Sequence, residues 1–193
     1  MAKSDPSAAK RQRNKTIRWV ITIFLVTILI SGIISFVSDI TMRAADVWVA
    51  FVILLAIVLL GIVFDIVGVA VTSADEKPFH SMAARKVPGA QESIMLLRRA
   101  EKVSSICNDV IGDICGVISG AAAAAIALKI IEATTVPYER IPVLIMSALV
   151  AGLTVGGKAI GKSYAIGSCT NIVHTVGKVL WFFRHFPRSL RKK

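Results

Sequence analysis

The sequence predicts an all-α membrane protein with four transmembrane helices, and three observations predict it. Of its 193 residues 55% are hydrophobic, and the mean hydropathy is +0.71, more apolar surface than one soluble core can hide. The apolar residues gather in four long runs separated by polar stretches. The formal charge of +11 sits mostly at the two ends and beside those runs, which suits a membrane surface. Nucleic-acid binding, the other common meaning of a basic chain, does not account for that placement.

Residues 1–18, MAKSDPSAAKRQRNKTIR, hold six Lys/Arg and one Asp without apolar periodicity and predict a mobile polybasic tail near anionic lipid. Residues 19–37, WVITIFLVTILISGIISFV, form the first run. Its nineteen residues, at about 1.5 Å each, reach roughly 28 Å, the thickness of a bilayer core. The run is longer than a signal-peptide core and no small-residue cleavage site stands out, so a retained span is predicted. After the short turn SDITMRAAD the second span covers Val47–Val71, entered through an interfacial Trp48.

Residues 72–104 turn amphipathic. Pro78 and Pro88-Gly89 punctuate two short helical stretches, and Ile94, Leu97 and Val103 make an apolar edge opposite Arg98, Arg99 and Lys102. Juxtamembrane helices lying along the membrane are expected over 79–104. The third span covers about Ser105–Ile131, EATTVPYER makes a polar turn, and the fourth span runs from Ile141 to about Gly157, with Lys158 and Lys162 snorkelling beyond its end. Residues 168–186 predict a second juxtamembrane helix, because Ile172, Val173, Val176, Val179, Leu180 and Phe183 recur at helical spacing. Residues 187–193 close the chain as a basic tail. Four spans put both termini on one side, and the Lys/Arg excess of the tails and of the 72–104 loop makes that side the cytoplasm, with the plasma membrane as the expected location.

Gly112, Gly116 and Gly120, continued by Ala124, form one small-residue row, and Gly152, Gly156, Gly157 and Gly161 form another. Such rows let helix backbones approach where lipid supplies no hydrophobic drive, so the third and fourth spans are expected to pack face to face or against symmetry mates.

Enzymatic chemistry is not expected. Cys107, Cys115 and Cys169 show no metal-ligand spacing, and His80, His174 and His185 are scattered. Gly161–Ser163 imitates a phosphate loop but follows a membrane helix instead of a strand. No prosthetic group is implied.

The chemistry-bearing residues are polar groups inside the apolar runs. Asp65 lies near the cytoplasmic end of the second span, and Asn108, Asp109 and Asp113 open the third. Antiparallel neighbours would bring them to similar depth. An ionised Asp at a helix centre costs about 2.5–3.5 kcal/mol, so these residues need a partner, a proton or water. Oxygen donors of this kind, with the Ser105 hydroxyl added, are what Mg2+ accepts. The alternative is that Asp109 and Asp113 sit at headgroup level, solvated or paired with Arg98, Lys102 or Lys158.

Three stretches carry a family resemblance. FDIVGVAVTSAD (Phe64–Asp75), LLRRAEKVSSICND (Leu96–Asp109) and TVGGKAIGKSYAIGSCTNIV (Thr154–Val173) resemble, in order and spacing, the transmembrane domain of the CorB/CorC and cyclin M family of magnesium and cobalt transporters. The likeness covers residues 47–186 and leaves 19–37 as an extra N-terminal span before a three-helix CorC-like unit. It implies a homodimer that moves Mg2+ or a similar divalent ion, in the efflux direction, without a cofactor. Carried over residue by residue, Asp65 stands at the family's Ser, Asn108 at its Asn, Thr154 at its Glu and Lys158 at its Lys. Cys107 and Gly157 stand where the family has Gly and Pro. The nucleotide-sensing CBS pair usual in the family has no counterpart in this sequence. The expected function is therefore divalent-cation transport, with Asp65, Ser105, Asn108, Asp109 and Asp113 as oxygen ligands. The alternative expectation is a non-transporting subunit that assembles or regulates a partner.

Overall fold

The computed structural model describes residues 6–44, 46–133 and 140–189. The middle of the predicted EATTVPYER turn and the extremes of both basic tails lie outside the described residues. Among those described there is no strand. The helices are α1 (Pro6–Ala44), α2 (Val47–Ser73), α3 (Lys77–Ala84), α4 (Ala90–Leu97), α5 (Ala100–Ser104), a π-helix (Ser105–Gly112), α6 (Asp113–Ala133), α7 (Arg140–Gly167) and α8 (Cys169–Ser189). Four stretches are long and apolar enough to cross a membrane: Thr16–Ser38, Val47–Ser73, Ala100–Ala133 and Ile141–Gly167. The protein is thus an all-α, multi-pass membrane protein.

Three boundaries differ from the sequence expectation, each where a helix extends past its apolar run: α1 continues to Ala44 through most of the expected turn SDITMRAAD. Residues 6–18 are helical rather than a loose tail, since Ala, Lys, Arg and Gln lose little side-chain freedom in a helix. The last span does not stop at Gly157. It continues unbroken to Gly167, so Lys158 and Lys162 are interior helix positions.

Paired contacts fix the helix directions. Ile62 and Ile66 of α2 lie against Gly157 and Gly161 of α7, so these helices run parallel. Gly61 and Gly68 of α2 meet Cys115 and Asn108, so α2 and the third span run antiparallel. At α1, Ile23 packs on Val110, Ile114 and Ile118, and the Lys102 ammonium sits 4.9 Å from the Trp19 ring centre, a cation–π contact. The N-terminal half of α1 therefore shares one end of the bundle with α3–α5 and α8.

The third span is the central one. In its most apolar stretch 44% of residues are buried, against 0% for α1. Ala122, Ala123 and Ile126 meet Ala50, Leu54 and Val58 of α2 and Val150 of α7, the small alanines letting the three axes converge. A second core caps the bundle, where Ala70 and Val71 of α2, Phe79 of α3, Leu97 of α4, Ala165 of α7 and Val173 of α8 come together.

Glycine is used here to seat side chains, which corrects the expectation of two glycine rows packing face to face. A Cβ on Gly161 would lie 2.8 Å from Ile66 Cγ1, and one on Gly61 would lie 2.9 Å from Cys115 Cβ. Gly116, Gly120, Gly152 and Gly156 have no neighbour within 4 Å. The helices of this chain interlock through α2, which supplies isoleucines to α7 and receives side chains from the third span.

The juxtamembrane helices dock as one unit. Gly89 opens α4 with φ +85°, a left-handed conformation, and a Cβ there would lie 2.6 Å from the Lys178 backbone nitrogen. The fully buried Ser93 hydroxyl donates to the Gly89 carbonyl at 2.9 Å and lies 3.2 Å from the Val173 carbonyl. His174 Nε2 lies 3.2 Å from the Pro88 carbonyl, tying α8 to the turn before α4.

Candidate functional site

The polar residues of the spans gather where α2, the π-helix and α7 meet. A π-helix closes its turns with i→i+5 bonds and so holds an extra residue per turn, a feature frequent at functional sites. Here it spans Ser105–Gly112, the eight residues that carry Asn108 and Asp109. Asn108 and Gly112 both face α2. A Cβ on Gly68 would overlap Asn108 Oδ1, so glycine at this position is what admits the amide. A Cβ on Gly112 would make ordinary contact with Lys158 Nζ at 3.4 Å and Asp65 Oδ1 at 4.0 Å, so this glycine lies beside both charged groups.

Asp65 Oδ1 and Lys158 Nζ are 3.6 Å apart. That exceeds the roughly 2.7–2.9 Å of a charge-assisted hydrogen bond, so the two attract as charges without a tight bond. Their side chains keep 17% and 27% exposure respectively, so the pair is only partly buried within the chain. Asn108 Nδ2 donates to the Ser104 hydroxyl at 3.3 Å. Asn108 Oδ1 is buried and has no hydrogen-bond partner among the described residues.

The expected ligand set divides. Asp65 and Asn108 both lie where α2 meets the third span, and Lys158 of α7 pairs with Asp65. Asp109 and Asp113 are on the exposed side of the third span, and Ser105 donates to Asp109 Oδ2 at 2.9 Å instead of turning towards α2. The physical reason at Asp65 is electrostatic: a buried carboxylate needs a counter-charge, and Lys158 is the counter-charge that α7 brings to this interface. No group of three or more His, Cys, Asp or Glu close enough to hold a metal occurs among the described residues. Thr154 donates to its own helix at the Val150 carbonyl, 2.8 Å away.

Lys158 is the residue that sequence reasoning places wrongly. The sequence expectation has it snorkelling from a helix end or pairing with Asp109 or Asp113, whereas it pairs with Asp65. A signal exists in the sequence: Asp65, the one charge of α2, and Lys158, one of two lysines of α7, each stand about two thirds of the way along their helices, a pairing that parallel helices allow.

The interface thus holds one carboxylate, one ammonium and one buried amide oxygen without a hydrogen-bond partner among the described residues. Comparison of the chain with protein-family models, curated proteins and solved structures returns no match.

Proposed function

We propose that this chain is a transporter of Mg2+ or a similar small divalent cation, working in the efflux direction as a homodimer in the plasma membrane, with both termini in the cytoplasm. The observation that carries this reading is the buried Oδ1 of Asn108, an acceptor without a partner among the described residues, at the interface that also holds the Asp65 carboxylate. Leaving such a group unsatisfied costs about 1–3 kcal/mol, and a cation shared with Asp65 would recover it. The resemblance of Phe64–Asp75, Leu96–Asp109 and Thr154–Val173 to the CorB/CorC and cyclin M transmembrane domain supports the same ion class and the efflux direction. The open glycines at 116, 120, 152 and 156 support a homodimer, since a second copy could approach there. The Lys/Arg excess at the end shared by α3–α5 and α8 supports a cytoplasmic assignment for that end, and the basic termini suit anionic lipid.

A second reading rests on a different observation. The ion pair Lys158–Asp65 leaves the site neutral, which is what a subunit that only packs against a partner needs. Flux decides between them. Purified protein in proteoliposomes loaded with a Mg2+ indicator should carry Mg2+ down a gradient, and Asp65→Asn and Asn108→Ala should each lower the rate by about tenfold or more. A folded wild-type protein with no flux would favour the packing subunit.

A further inference from the structure

On the basis of the transport reading, and going beyond it, we infer that the Lys158 ammonium is a tethered competitor for the transported cation: it occupies Asp65 when no ion is bound and leaves when one arrives.

The geometry supports exchange over a permanent lock. A structural ion pair buried between helices gains most from short, bidentate bonds that satisfy both partners. This pair is a single contact at 3.6 Å, both members keep partial exposure, and the residue beside it on the third span is a glycine, Gly112, in place of a side chain that would clamp the ammonium. Lysine is a flexible point charge on a four-carbon stem, able to swing its head to the headgroup level while its stem stays on α7. The helix that carries it is held independently, through Ile62 and Ile66 seated at Gly157 and Gly161, so release of the ammonium does not undock α7 from α2.

Competition also supplies a function. A site of one carboxylate and one amide would hold a divalent ion with nothing to push it out. A charge that returns to Asp65 lowers the barrier to release, and it keeps the carboxylate from standing uncompensated once the ion has gone. Selectivity obeys the same logic: a monovalent ion offers no more charge than the ammonium already present, whereas a divalent ion does.

Equilibrium Mn2+ binding to the full chain in nanodiscs, read by electron paramagnetic resonance with Mg2+ as competitor, tests the inference. Lys158→Gln should bind Mn2+ about tenfold or more tightly than wild type, and Lys158→Met should do the same if Gln impairs folding. Lys158→Arg, which keeps the charge, should show no such gain, and Asp65→Asn combined with Lys158→Gln should erase it. Tighter binding is a gain that loss of structure cannot mimic. Unchanged or weaker binding in both neutral variants, with Asp65→Asn abolishing wild-type binding, would leave the cation site standing and overturn the competitor. Binding by no variant at all would overturn the transport reading and this inference together.

Discussion

Asn108 and Gly68 form the smallest unit of the site, one amide admitted by one missing methyl. Gly68→Ala would force the amide out of its seat or the helices apart, and we expect a loss of about 1–3 kcal/mol together with loss of any cation response. Thermal unfolding in detergent, with and without Mg2+, measures both. Gly32→Ala is the control at a position where an added Cβ meets nothing within 4 Å, and stability there should not fall by more than about 0.5 kcal/mol. The charges are coupled in the same way. Asp65→Asn or Lys158→Gln alone strands a partly buried partner and should cost about 1–2 kcal/mol each, while the double substitution should cost less than either. A double-mutant cycle on melting temperature would show additivity instead if the contact at 3.6 Å carried no energy. Asp65 and Asn108 are legible in the sequence because a polar residue in an apolar run announces its own cost. That Lys158 and not Lys162 meets Asp65 is not legible, because the choice depends on how α2 and α7 are rotated about their axes. That rotation is set by Ile62 and Ile66 on Gly157 and Gly161, four residues that look like ordinary span composition.

The element that orients the site is the π-helix, and nothing in SICNDVIG reveals it. Apolar spacing over eight residues cannot distinguish i→i+4 from i→i+5 bonding, so the third span reads as a plain α-helix from sequence. In either winding Asp109 follows Asn108 around the axis by roughly 80–100°; in the structure Asp109 and Asp113 lie on the exposed side. Inserting one alanine between Asp113 and Ile114, where the winding is α-helical, should turn Asn108 by about 100° relative to the rest of α6, away from Gly68. Circular dichroism should then show full helix content while the Mg2+-dependent rise in melting temperature disappears. Retention of that rise in the insertion variant would mean that the register of the π-helix on α6 does not position the amide. Juxtamembrane elements are more readable. Pro78 and Pro88-Gly89 mark the starts of α3 and α4 by mechanisms local to the chain: a fixed proline φ, and a left-handed residue that only glycine adopts without strain.

For the whole molecule, the count of spans and their order are legible because a bilayer imposes a length of about twenty apolar residues, whatever the packing. Which spans form the core is not. All four runs are apolar all round, yet burial concentrates in the third span and leaves the stretch Thr16–Ser38 at 0%, since small alanines, not hydropathy, decide which helix can be surrounded. A chain beginning at Asp46 should therefore fold in detergent with a melting temperature within a few degrees of the full protein. A large drop would show that Ile23 and Trp19 hold the third span in place. The most direct measurement is the melting temperature of the purified full-length protein in the absence of divalent ions and in about 10 mM Mg2+. An ion bound between Asp65 and Asn108 stabilises the folded chain by mass action, about 2.7 kcal/mol at a hundredfold excess over the dissociation constant. The expected result is a rise of several degrees that Asp65→Asn and Asn108→Ala each abolish. A rise of the same size in both variants, or none in the wild type, would contradict a cation site at this interface.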